Sequence, residues 1–233
     1  MSAGLLVAPC SHAAARFAVE HWHYSRCMPM PPAVYYGVWE HGSFIGAVIF
    51  GRGASPHLLT VYGLDTTQGA ELTRVALRAH ESPVSMIVTR AIRLLHAANP
   101  GLRLIVSFAD PAHGHRGSIY QAMNWVYTGR SSAQPTYRDQ LGRLHHQRVV
   151  SRSGKTTQYG KKVKSPKIEN LTRVDMPGKH RYLYPLDKKM RRQVEKLARP
   201  YPRGRGVDGD APASPVGEVS STLAGRSDIE DGE

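Results

Sequence analysis

A single acidic residue in the segment "FADPAHGHRGSIYQAMNWVYTG" is the first candidate for chemistry. Asp110 ends an apolar run there, and it is the only acid between Glu81 and Asp139. A carboxylate at the end of a strand can accept a hydrogen bond from an amino group. The alternative is a helix cap or a loop ion pair. Tyr120, ten residues later, can donate a proton or orient a ligand, and the alternative is an amphipathic core position on its helix.

Two histidine pairs, one near the N-terminus and one within this segment, raise the question of a metal. His21 and His23 are two residues apart in "EHWHYS". In an extended segment both would point to one side, as a metal pair requires. Asp110 could complete a set of two histidines and one carboxylate of the kind that holds iron. His113 and His115 of "HGH" compete for the same role, and loop histidines without a metal are the plainer alternative.

Further polar and aromatic residues occupy predicted strands. Arg74 follows a threonine in "ELTR" and could anchor a carboxylate, a phosphate or an RNA backbone. A structural salt bridge to a nearby glutamate, Glu71 or Glu81, explains it equally well. The tyrosines and tryptophan of "YYGVW" could form a flat stacking platform, or they could belong to the core of a hairpin.

The elements that must position these residues follow from hydrophobic periodicity and turn signals. Ser11 should cap a helix that ends at Trp22. "VYYGVWEHGSFIGAVIFG" should form a hairpin around its glycine-containing turn. The order that then follows is strand "AELTRVALR", helix 83–98, strand "LRLIVSFA", helix 116–125 and strand "WVYTG". Strands that alternate with helices predict an α/β fold, with a central mixed β-sheet flanked by helices.

The C-terminal part of the sequence differs in composition from this core. Residues 135–186 should form further strands and loops, and residues 187–199 a basic helix capped by Asp187. Beyond residue 200, glycine, proline, serine and acids dominate, which predicts a disordered tail over 201–233. We therefore expect one domain over 1–200, which includes a basic region over 138–200, followed by the tail.

The positive charge of the chain belongs to that basic region. The net charge is +13, and residues 138–205 carry twenty basic residues against five acids. A polyanion is the expected partner for such a region, and a solvated basic face is the alternative. Lysines mixed with tyrosines suit contacts to a nucleic-acid backbone. The residues expected to contact phosphates are Lys161, Lys162, Lys164, Lys188, Lys189, Arg191 and Arg192.

Other compositional features exclude some classes of protein. The two cysteines do not imply a disulfide framework. No apolar run is long enough for a transmembrane helix, so no membrane association is expected. The N-terminal segment lacks a basic leader, and its apolar run is too short for a secretory signal. The expected compartment is a reducing cytoplasm.

The opening segment resembles the GNAT acyltransferases. In that family a strand ends near a polar residue, and the helix that follows carries a tyrosine before a Leu/Met-Gly/Asn-aromatic pattern. "GSIYQAMNWVYTG" matches it, with Tyr120, Met123, Asn124, Trp125 and Gly129. The resemblance implies that Tyr120 serves as an acid. The family also holds the coenzyme A diphosphate in a glycine-rich loop at a helix N-terminus. Here that position reads "HESPVSMIV", which contains no glycine.

A closer resemblance covers about residues 10–200. The motifs "EHWHYSRCMP", "YYGVWE", "ELTRVAL" and "SFADPAHGHRGSIYQAMNWVYTG" together are similar to the Mom family of phage DNA modification proteins. The resemblance implies a GNAT-like enzyme that adds a carbamoylmethyl-type, glycinamide-like group to adenine N6 in double-stranded DNA. This modification would protect phage DNA from restriction in the host cytoplasm. The resemblance also links the protein to iron.

The same resemblance assigns roles to particular residues. His23, Asp110 and Tyr120 are expected to be catalytic, whereas Tyr36 and Arg74 are expected to bind substrate or donor. Ser107 and Asn124 are also expected in substrate or donor binding. The candidates for a metal site are His21, His23 and Asp110.

Several alternatives stay open at this level. The group donor could be a small molecule or a tRNA-linked group, and a homodimer is one of the assemblies left open. A conventional GNAT N-acetyltransferase is a second reading of the sequence, although the absence of the glycine-rich loop argues against it. A basic nucleic-acid-binding protein without catalytic activity is a third, which would leave Asp110 and Tyr120 without a role.

Overall fold

The computed structural model describes residues 4–53, 55, 57–158 and 161–203, apart from the side chains of residues 134, 146, 148, 156, 158, 161 and 163. Most of the predicted tail, from residue 204 onward, lies outside the described residues. Within the described part, the chain divides into two compact units. The first comprises residues 4–132 and 178–203, and the second comprises residues 133–177.

Strands and helices alternate along the first unit, as the sequence predicts. In chain order they are β1 (Leu5–Pro9), α1 (His12–Trp22), β2 (Ala33–Glu40), β3 (Ser43–Gly51), β4 (Gly69–Leu77), α2 (Val84–Ala98), β5 (Leu104–Ala109), α3 (Ser118–Ala122) and β6 (Val126–Arg130). The second unit contains β7 (Gln134–Arg138), β8 (Leu144–His146), β9 (Lys155–Gln158), β10 (Lys161–Lys164) and β11 (Thr172–Met176). The chain then returns to the first unit with β12 (His180–Pro185) and α4 (Lys188–Glu195).

A seven-stranded mixed sheet organises the first unit, with the strand order β1-β2-β3-β4-β5-β12-β6. The pair β4 and β5 is parallel, whereas the other neighbours are antiparallel. The predicted fold class, a central mixed sheet flanked by helices, is confirmed. Pairing of β4 with β5 ends at Leu72 and Ser107, although β4 continues to Leu77. The carboxyl ends of these two strands are therefore not joined by a ladder.

Apolar side chains cover both faces of the central strands. Leu104 and Val106 of β5 belong to a cluster with Met190 and Val194 of α4. Ile105, on the opposite face, belongs to a cluster that includes the apolar stripe of α2, which consists of Ile87, Val88, Ala91, Ile92 and Leu95. Neighbouring residues of a strand point to opposite faces, so a strand covered on both sides is apolar throughout.

Polar side chains fix the ends of two predicted helices. Ser11 Oγ accepts a hydrogen bond of 3.2 Å from the Ala14 amide at the start of α1. Asp187 accepts one of 2.7 Å from the Met190 amide at the start of α4. The Asp187 carboxylate also accepts two hydrogen bonds from Arg103, 2.8 and 3.2 Å long. These interactions confirm both predicted caps and anchor α4 to the segment before β5.

Three features of the first unit depart from the sequence-based expectations. The helix predicted over 116–125 is shorter, since α3 ends at Ala122 and Asn124 adopts a left-handed backbone with φ of 55°. Asparagine tolerates that conformation and therefore favours helix termination. The edge strand β1, paired with β2, was not predicted. Nor was the insertion of β12 between β5 and β6.

The second unit consists of short strands, as predicted for the first part of residues 135–186. Strands β11, β7 and β8 form a three-stranded antiparallel sheet, and β9 and β10 form a hairpin. Asp139 stabilises the turn between β7 and β8, because its Oδ1 accepts from the amides of Leu141 and Arg143 at 2.9 Å each. Over the described ranges of the chain, no helix is long and apolar enough to cross a membrane.

Candidate active site

Asp110 lies at the carboxyl end of β5, beside the first residues of β12. His180 of β12 pairs with Ala109 of β5, so the residues just beyond this pair are neighbours at the edge of the sheet. Lys179 Nζ lies 2.9 Å from Asp110 Oδ2. Asp110 Oδ1 accepts a hydrogen bond of 3.0 Å from the Ala112 amide and thereby caps a short 3-10 helix. The predicted alternatives of a cap and an ion pair therefore both apply to Asp110.

These contacts keep the Asp110 carboxylate ionised. Burial by itself would raise the pKa of Asp110, but hydrogen bonds from His113 and Lys179 outweigh burial and bring the pKa far below the usual range. His113 Nδ1 lies 3.6 Å from Asp110 Oδ2. A carboxylate with so low a pKa is a hydrogen-bond acceptor at neutral pH and a poor store for a proton. Oδ1, whose one described donor is the Ala112 amide, still has a lone pair for a further donor.

His23 is neutral and its tautomer is fixed by the backbone. The Ser25 amide donates a hydrogen bond of 3.1 Å to His23 Nδ1, so the hydrogen of the neutral ring lies on Nε2. Burial, together with the nearby charge of Arg74, lowers the pKa of His23 to about 3. His23 therefore offers an Nε2–H donor across the neutral pH range.

Tyr24 connects His23 with the segment that follows Asp110. Its ring centroid lies 4.3 Å from that of His23, 4.6 Å from that of His113 and 5.2 Å from that of His115. Tyr24 is nevertheless 46% exposed. A continuous series of contacts thus runs from His23 through Tyr24 and His113 to Asp110. We call these four residues together with Lys179 the Asp110 cluster.

Tyr120 is buried and bound to Ser107. The Oη of Tyr120 and the Oγ of Ser107 are 2.8 Å apart, and the same Oγ lies 2.8 Å from the Leu72 carbonyl oxygen. A carbonyl can only accept, so both contacts are satisfied when Tyr120 donates to Ser107 and Ser107 donates to Leu72. Burial raises the pKa of Tyr120 to about 12, which keeps its hydroxyl protonated. Tyr24 lies close enough to Tyr120 to raise this pKa as well.

Arg74 projects from an irregular part of β4. The pairing register between β3 and β4 shifts at Thr73, and Arg74 follows this shift. Its Nε donates to the Cys27 carbonyl at 3.1 Å, and its Nη1 donates to the Thr73 carbonyl at 2.7 Å. Arg74 therefore ties the loop after α1 to β4, and its charge also acts on His23.

Two other predicted substrate- or donor-binding residues lie apart from these contacts. Tyr36 is 3% exposed and packs edge-on against Phe50 in the core, where burial raises its pKa. It offers no free face for stacking. Asn124 is exposed at the turn after α3, so it does not share a helical face with Tyr120. Within the Asp110 cluster, Tyr24 presents an exposed phenol ring beside the exposed imidazole of His113.

The residues present do not fit a metal centre. His21 lies in the last turn of α1, not in an extended segment, and its Nδ1 is 2.8 Å from the Phe17 carbonyl oxygen. Asp110 Oδ2 is paired with the ammonium group of Lys179, which competes with any metal cation for that oxygen. Among the residues that the structure describes, no group of three or more His, Cys, Asp or Glu side chains could hold a metal ion. We therefore derive no step through iron.

The loop that precedes α2 is filled by a carboxylate of the protein itself. Glu40, 7% exposed, accepts hydrogen bonds of 2.8 Å from the amides of Glu81 and Ser82. The Ser82 side chain also hydrogen-bonds to Glu40 and, with the two amides, lowers the pKa of this carboxylate. Pro83, the N-cap of α2, has no amide proton to contribute. An anion therefore already occupies the amides that a phosphate would need.

A cavity of about 300 Å³ lies beside this loop and not beside Asp110. It is lined by Gly4, Leu5, Glu40, His41, Glu81, Ser82 and Pro83. No residue of the Asp110 cluster lines it. Its main charged groups are two carboxylates and one histidine, which do not suit an anionic ligand.

The basic residues expected to contact DNA lie on exposed elements of both units. Lys162 and Lys164 are exposed on β10, where residues two apart point to the same face of the hairpin. Lys161 also belongs to β10. On α4, Lys188, Lys189 and Arg192 are exposed, whereas Arg191 is half-buried and lies 3.5 Å from Glu195.

Sequence reasoning missed three residues that the structure places at these sites. Tyr24 directly follows His23 in the sequence, and this adjacency could have identified it as a candidate site residue. Lys179 carries no local signal, because its position depends on the pairing of β12 with β5. Glu40 likewise reaches the loop before α2 only through the folded sheet.

Comparison with known proteins decides the family. Residues 4–203 match the model of the Mom protein family. The chain belongs to the Mom family. Its relative "Methylcarbamoylase mom" of Escherichia phage Mu is 27% identical over 199 residues, which cover 81% of this chain and 80% of the relative. The resemblance predicted from the motifs is confirmed.

Solved structures similar to this Mom family member include two at low sequence identity. The spermidine/spermine N-acetyltransferase SpeG from Vibrio cholerae has a TM-score of 0.44 and 10% identity, with 82% of this chain and 98% of that chain covered. FeeM, an N-acyl amino acid synthase from uncultured soil microbes, has a TM-score of 0.45 and 13% identity, with 83% and 96% covered.

Proposed function

We propose that this Mom family protein is a transferase that adds a carbamoylmethyl-type group to N6 of adenine in double-stranded DNA. The relative from phage Mu is named a methylcarbamoylase, which supports the group transferred. The single observation that carries the proposal is the ionised Asp110 carboxylate at the end of β5, among protonated donors. The biological role would be to protect phage DNA from restriction in the host cytoplasm.

The chemistry asks for such an acceptor because adenine N6 is a poor nucleophile. Its lone pair is delocalised into the purine ring, and a hydrogen bond from N6–H to a carboxylate increases the electron density on nitrogen. Asp110 can accept this bond without taking the proton in the ground state, since its pKa is so low. Lys179, His113 and the Ala112 amide keep the carboxylate oriented for this contact.

Two proton donors close to Tyr24 of the Asp110 cluster suit the group that leaves the donor molecule. Tyr120 remains protonated, and Ser107 together with the Leu72 carbonyl orients its hydroxyl. The His23 Nε2–H is a second donor, fixed through Nδ1. We assign to Tyr120 the transfer of a proton to the leaving atom as its hydroxyl turns away from Ser107, and to His23 a hydrogen bond to the transferred group. The proton that N6 loses when the new bond forms passes along its hydrogen bond to Asp110 and on to solvent, and the Tyr120 phenolate takes a proton back from solvent, so the step balances.

The target base must leave the duplex to reach Asp110. Enzymes that act on a base within DNA extrude it and stack it on an aromatic or apolar side chain. Tyr36 lies in the core, so we assign the stacking surface to the exposed ring of Tyr24 instead. The lysines of β10 and the basic residues of α4 would bind the phosphate backbone without reading sequence.

The hydrogen bonds that Glu40 accepts before α2 distinguish the proposed function from that of a conventional acetyltransferase. A diphosphate at the start of α2 would have to displace a carboxylate that already accepts two amide hydrogen bonds. Two adjacent anions would repel, because their charges have the same sign. The proposed donor therefore carries no diphosphate at this loop, and a small molecule and a tRNA-linked group both satisfy that condition.

The test is nucleoside analysis of DNA from cells that express the protein. Purified DNA is digested to nucleosides, and deoxyadenosine is compared by mass spectrometry between cells with the wild-type protein and cells with an empty vector. We expect an adenine nucleoside heavier by the mass of the transferred group. Deoxyadenosine of unaltered mass, with soluble protein present at normal levels, would refute the proposal.

A further inference from the structure

We propose that Lys179 is a positioning residue that holds the Asp110 carboxylate in its working orientation and is not itself a DNA contact. The inference rests on the proposed function of Asp110. Lys179 Nζ lies 2.9 Å from Asp110 Oδ2, and the Asp110 side chain is 13% exposed. Lys179 is distant from Asp110 in the sequence and immediately precedes β12.

The backbone around Lys179 is fixed from both sides. The Ser131 amide donates a hydrogen bond of 2.8 Å to the Lys179 carbonyl, and the Lys179 amide donates one of 3.0 Å to Ser131 Oγ. Gly178 packs so tightly that a Cβ atom there would lie 1.7 Å from the Ser131 carbonyl oxygen. Only glycine permits this approach without a backbone shift. The residue after β6 and the residue before β12 are thus hydrogen-bonded to each other at Lys179.

The residue after Lys179 is also fixed. His180 is 3% exposed, and its Nδ1 lies 2.8 Å from Tyr127 Oη on β6. The start of β12 is therefore held by β5, by β6 and by Ser131. A lysine side chain loses much conformational freedom when it is held in one geometry, so a fixed backbone lowers the cost of keeping Nζ at Asp110.

The consequence for Asp110 is geometric. Its Oδ1 is bound to the Ala112 amide and its Oδ2 to Lys179, so both oxygens are held and the plane of the carboxylate is set. Without Lys179, the remaining side-chain partner at Oδ2 is His113, at the longer distance of 3.6 Å. The carboxylate could then rotate away from a target amino group, and such misplacements reduce rates strongly.

Three variants of the full-length protein test this role. Lys179→Gln removes the charge, and Lys179→Arg keeps it. Arg16→Gln is the matched control, because it breaks another ion pair, between Arg16 and Glu20 on α1. We expect Lys179→Gln to lower the content of modified adenine by about 10- to 100-fold. Lys179→Arg should retain most of the modification, and Arg16→Gln should retain all of it. Equal losses in Lys179→Gln and Lys179→Arg would overturn the proposal.

Two further measurements separate positioning from DNA binding and from the proposed function. The slope of log affinity against log salt, on unmodified duplex DNA, should be unchanged in Lys179→Gln. A fall by about one would identify Lys179 as a phosphate contact and overturn the proposal. Amide hydrogen exchange of Ala112, followed by NMR, should be faster in Lys179→Gln and normal in Lys179→Arg. Unchanged exchange would also overturn it, and this readout stands even if wild-type protein leaves adenine unmodified.

Discussion

Replacing Asp110 by asparagine should abolish modification at a small cost in stability. Asparagine keeps the shape of the side chain. Its Oδ1 can still accept a hydrogen bond from the Ala112 amide, which lies 3.0 Å from Asp110 Oδ1 in the wild-type protein. What is lost is the negative charge, which pairs with Lys179 and strengthens a hydrogen bond from adenine N6. We therefore expect the Asp110→Asn protein to be folded and to leave deoxyadenosine unmodified in cellular DNA.

The size of the stability cost follows from the exposure of the two partners. The Asp110 side chain is 13% exposed and that of Lys179 is 51% exposed, so solvent screens one side of the pair. Exposed pairs contribute up to about 1 kcal/mol, and hydrogen bonds to charged groups about 1.5–3 kcal/mol. We expect a loss of about 1–2 kcal/mol in the free energy of unfolding. For a chain of this size, that lowers the melting temperature by about 2–8 °C.

The pH dependence of this difference gives a second check. The folded-state pKa of Asp110 is lowered, so its stabilising contribution is complete above about pH 5. The contribution is lost as the pH falls through the unfolded-state value, about 3.9, toward the folded-state value. The difference in melting temperature between wild type and Asp110→Asn should therefore shrink between pH 7 and pH 3. A constant difference would mean that Asp110 is not ion-paired in solution.

Asp139 offers a matched control for this experiment. Its side chain is also 13% exposed, and it is paired with Arg143 at 2.7 Å and with His145 at 3.0 Å. The Asp139→Asn protein should lose a similar amount of stability but retain modified adenine. Modification at the wild-type level in Asp110→Asn would refute the assignment of Asp110 as the acceptor. Loss of modification in both variants would show that stability, and not the acceptor, is limiting.

The remaining predictions concern Tyr120, the β10 lysines and the tail. Tyr120→Phe should lower the content of modified adenine about 100-fold by removing the proton donor. Thermal melts should show a free energy of unfolding lower by about 1 kcal/mol, because the hydrogen bond to Ser107 is lost. Modification at the wild-type level would contradict the role of Tyr120 as an acid. Neutralising all three lysines (161, 162 and 164) should reduce the salt slope of binding by about one per lost contact, equally on unrelated duplexes. An unchanged slope would direct the DNA path to α4. Deleting residues 206–233, which carry seven acids and one arginine, should leave modification unchanged, and a clear loss would give this segment a function.

Much of the fold followed from local signals. The apolar stripe of α2, the caps Ser11 and Asp187 and the β2–β3 hairpin all depend on residues close in sequence. Helix length was less predictable at α3, where the left-handed Asn124 ends the helix earlier than the pattern indicated. The edge strand β1 was missed because an apolar run of five residues is too short to distinguish a strand from a loop.

The sequence by itself predicted the family and the α/β class, and both are confirmed, whereas the roles of Asp110 and Tyr120 stay predictions. The sequence also selected these two residues as candidates. It could do so because the signal is local, namely one acid at the end of an apolar run and a tyrosine on the helix that follows. The separation of the positive charge into one region is equally a property of composition, which needs no coordinates.

The tertiary structure alone decided which partners surround those residues. Lys179 reaches Asp110 because β12 inserts beside β5, and Glu40 fills the loop before α2 because β2 ends near it. Tyr36 entered the core, whereas Tyr24 kept an exposed phenol ring in the Asp110 cluster. Contacts between residues that are 40 to 70 positions apart depend on strand order and register. Those are set by the packing of the whole sheet, and no local pattern of residues encodes them.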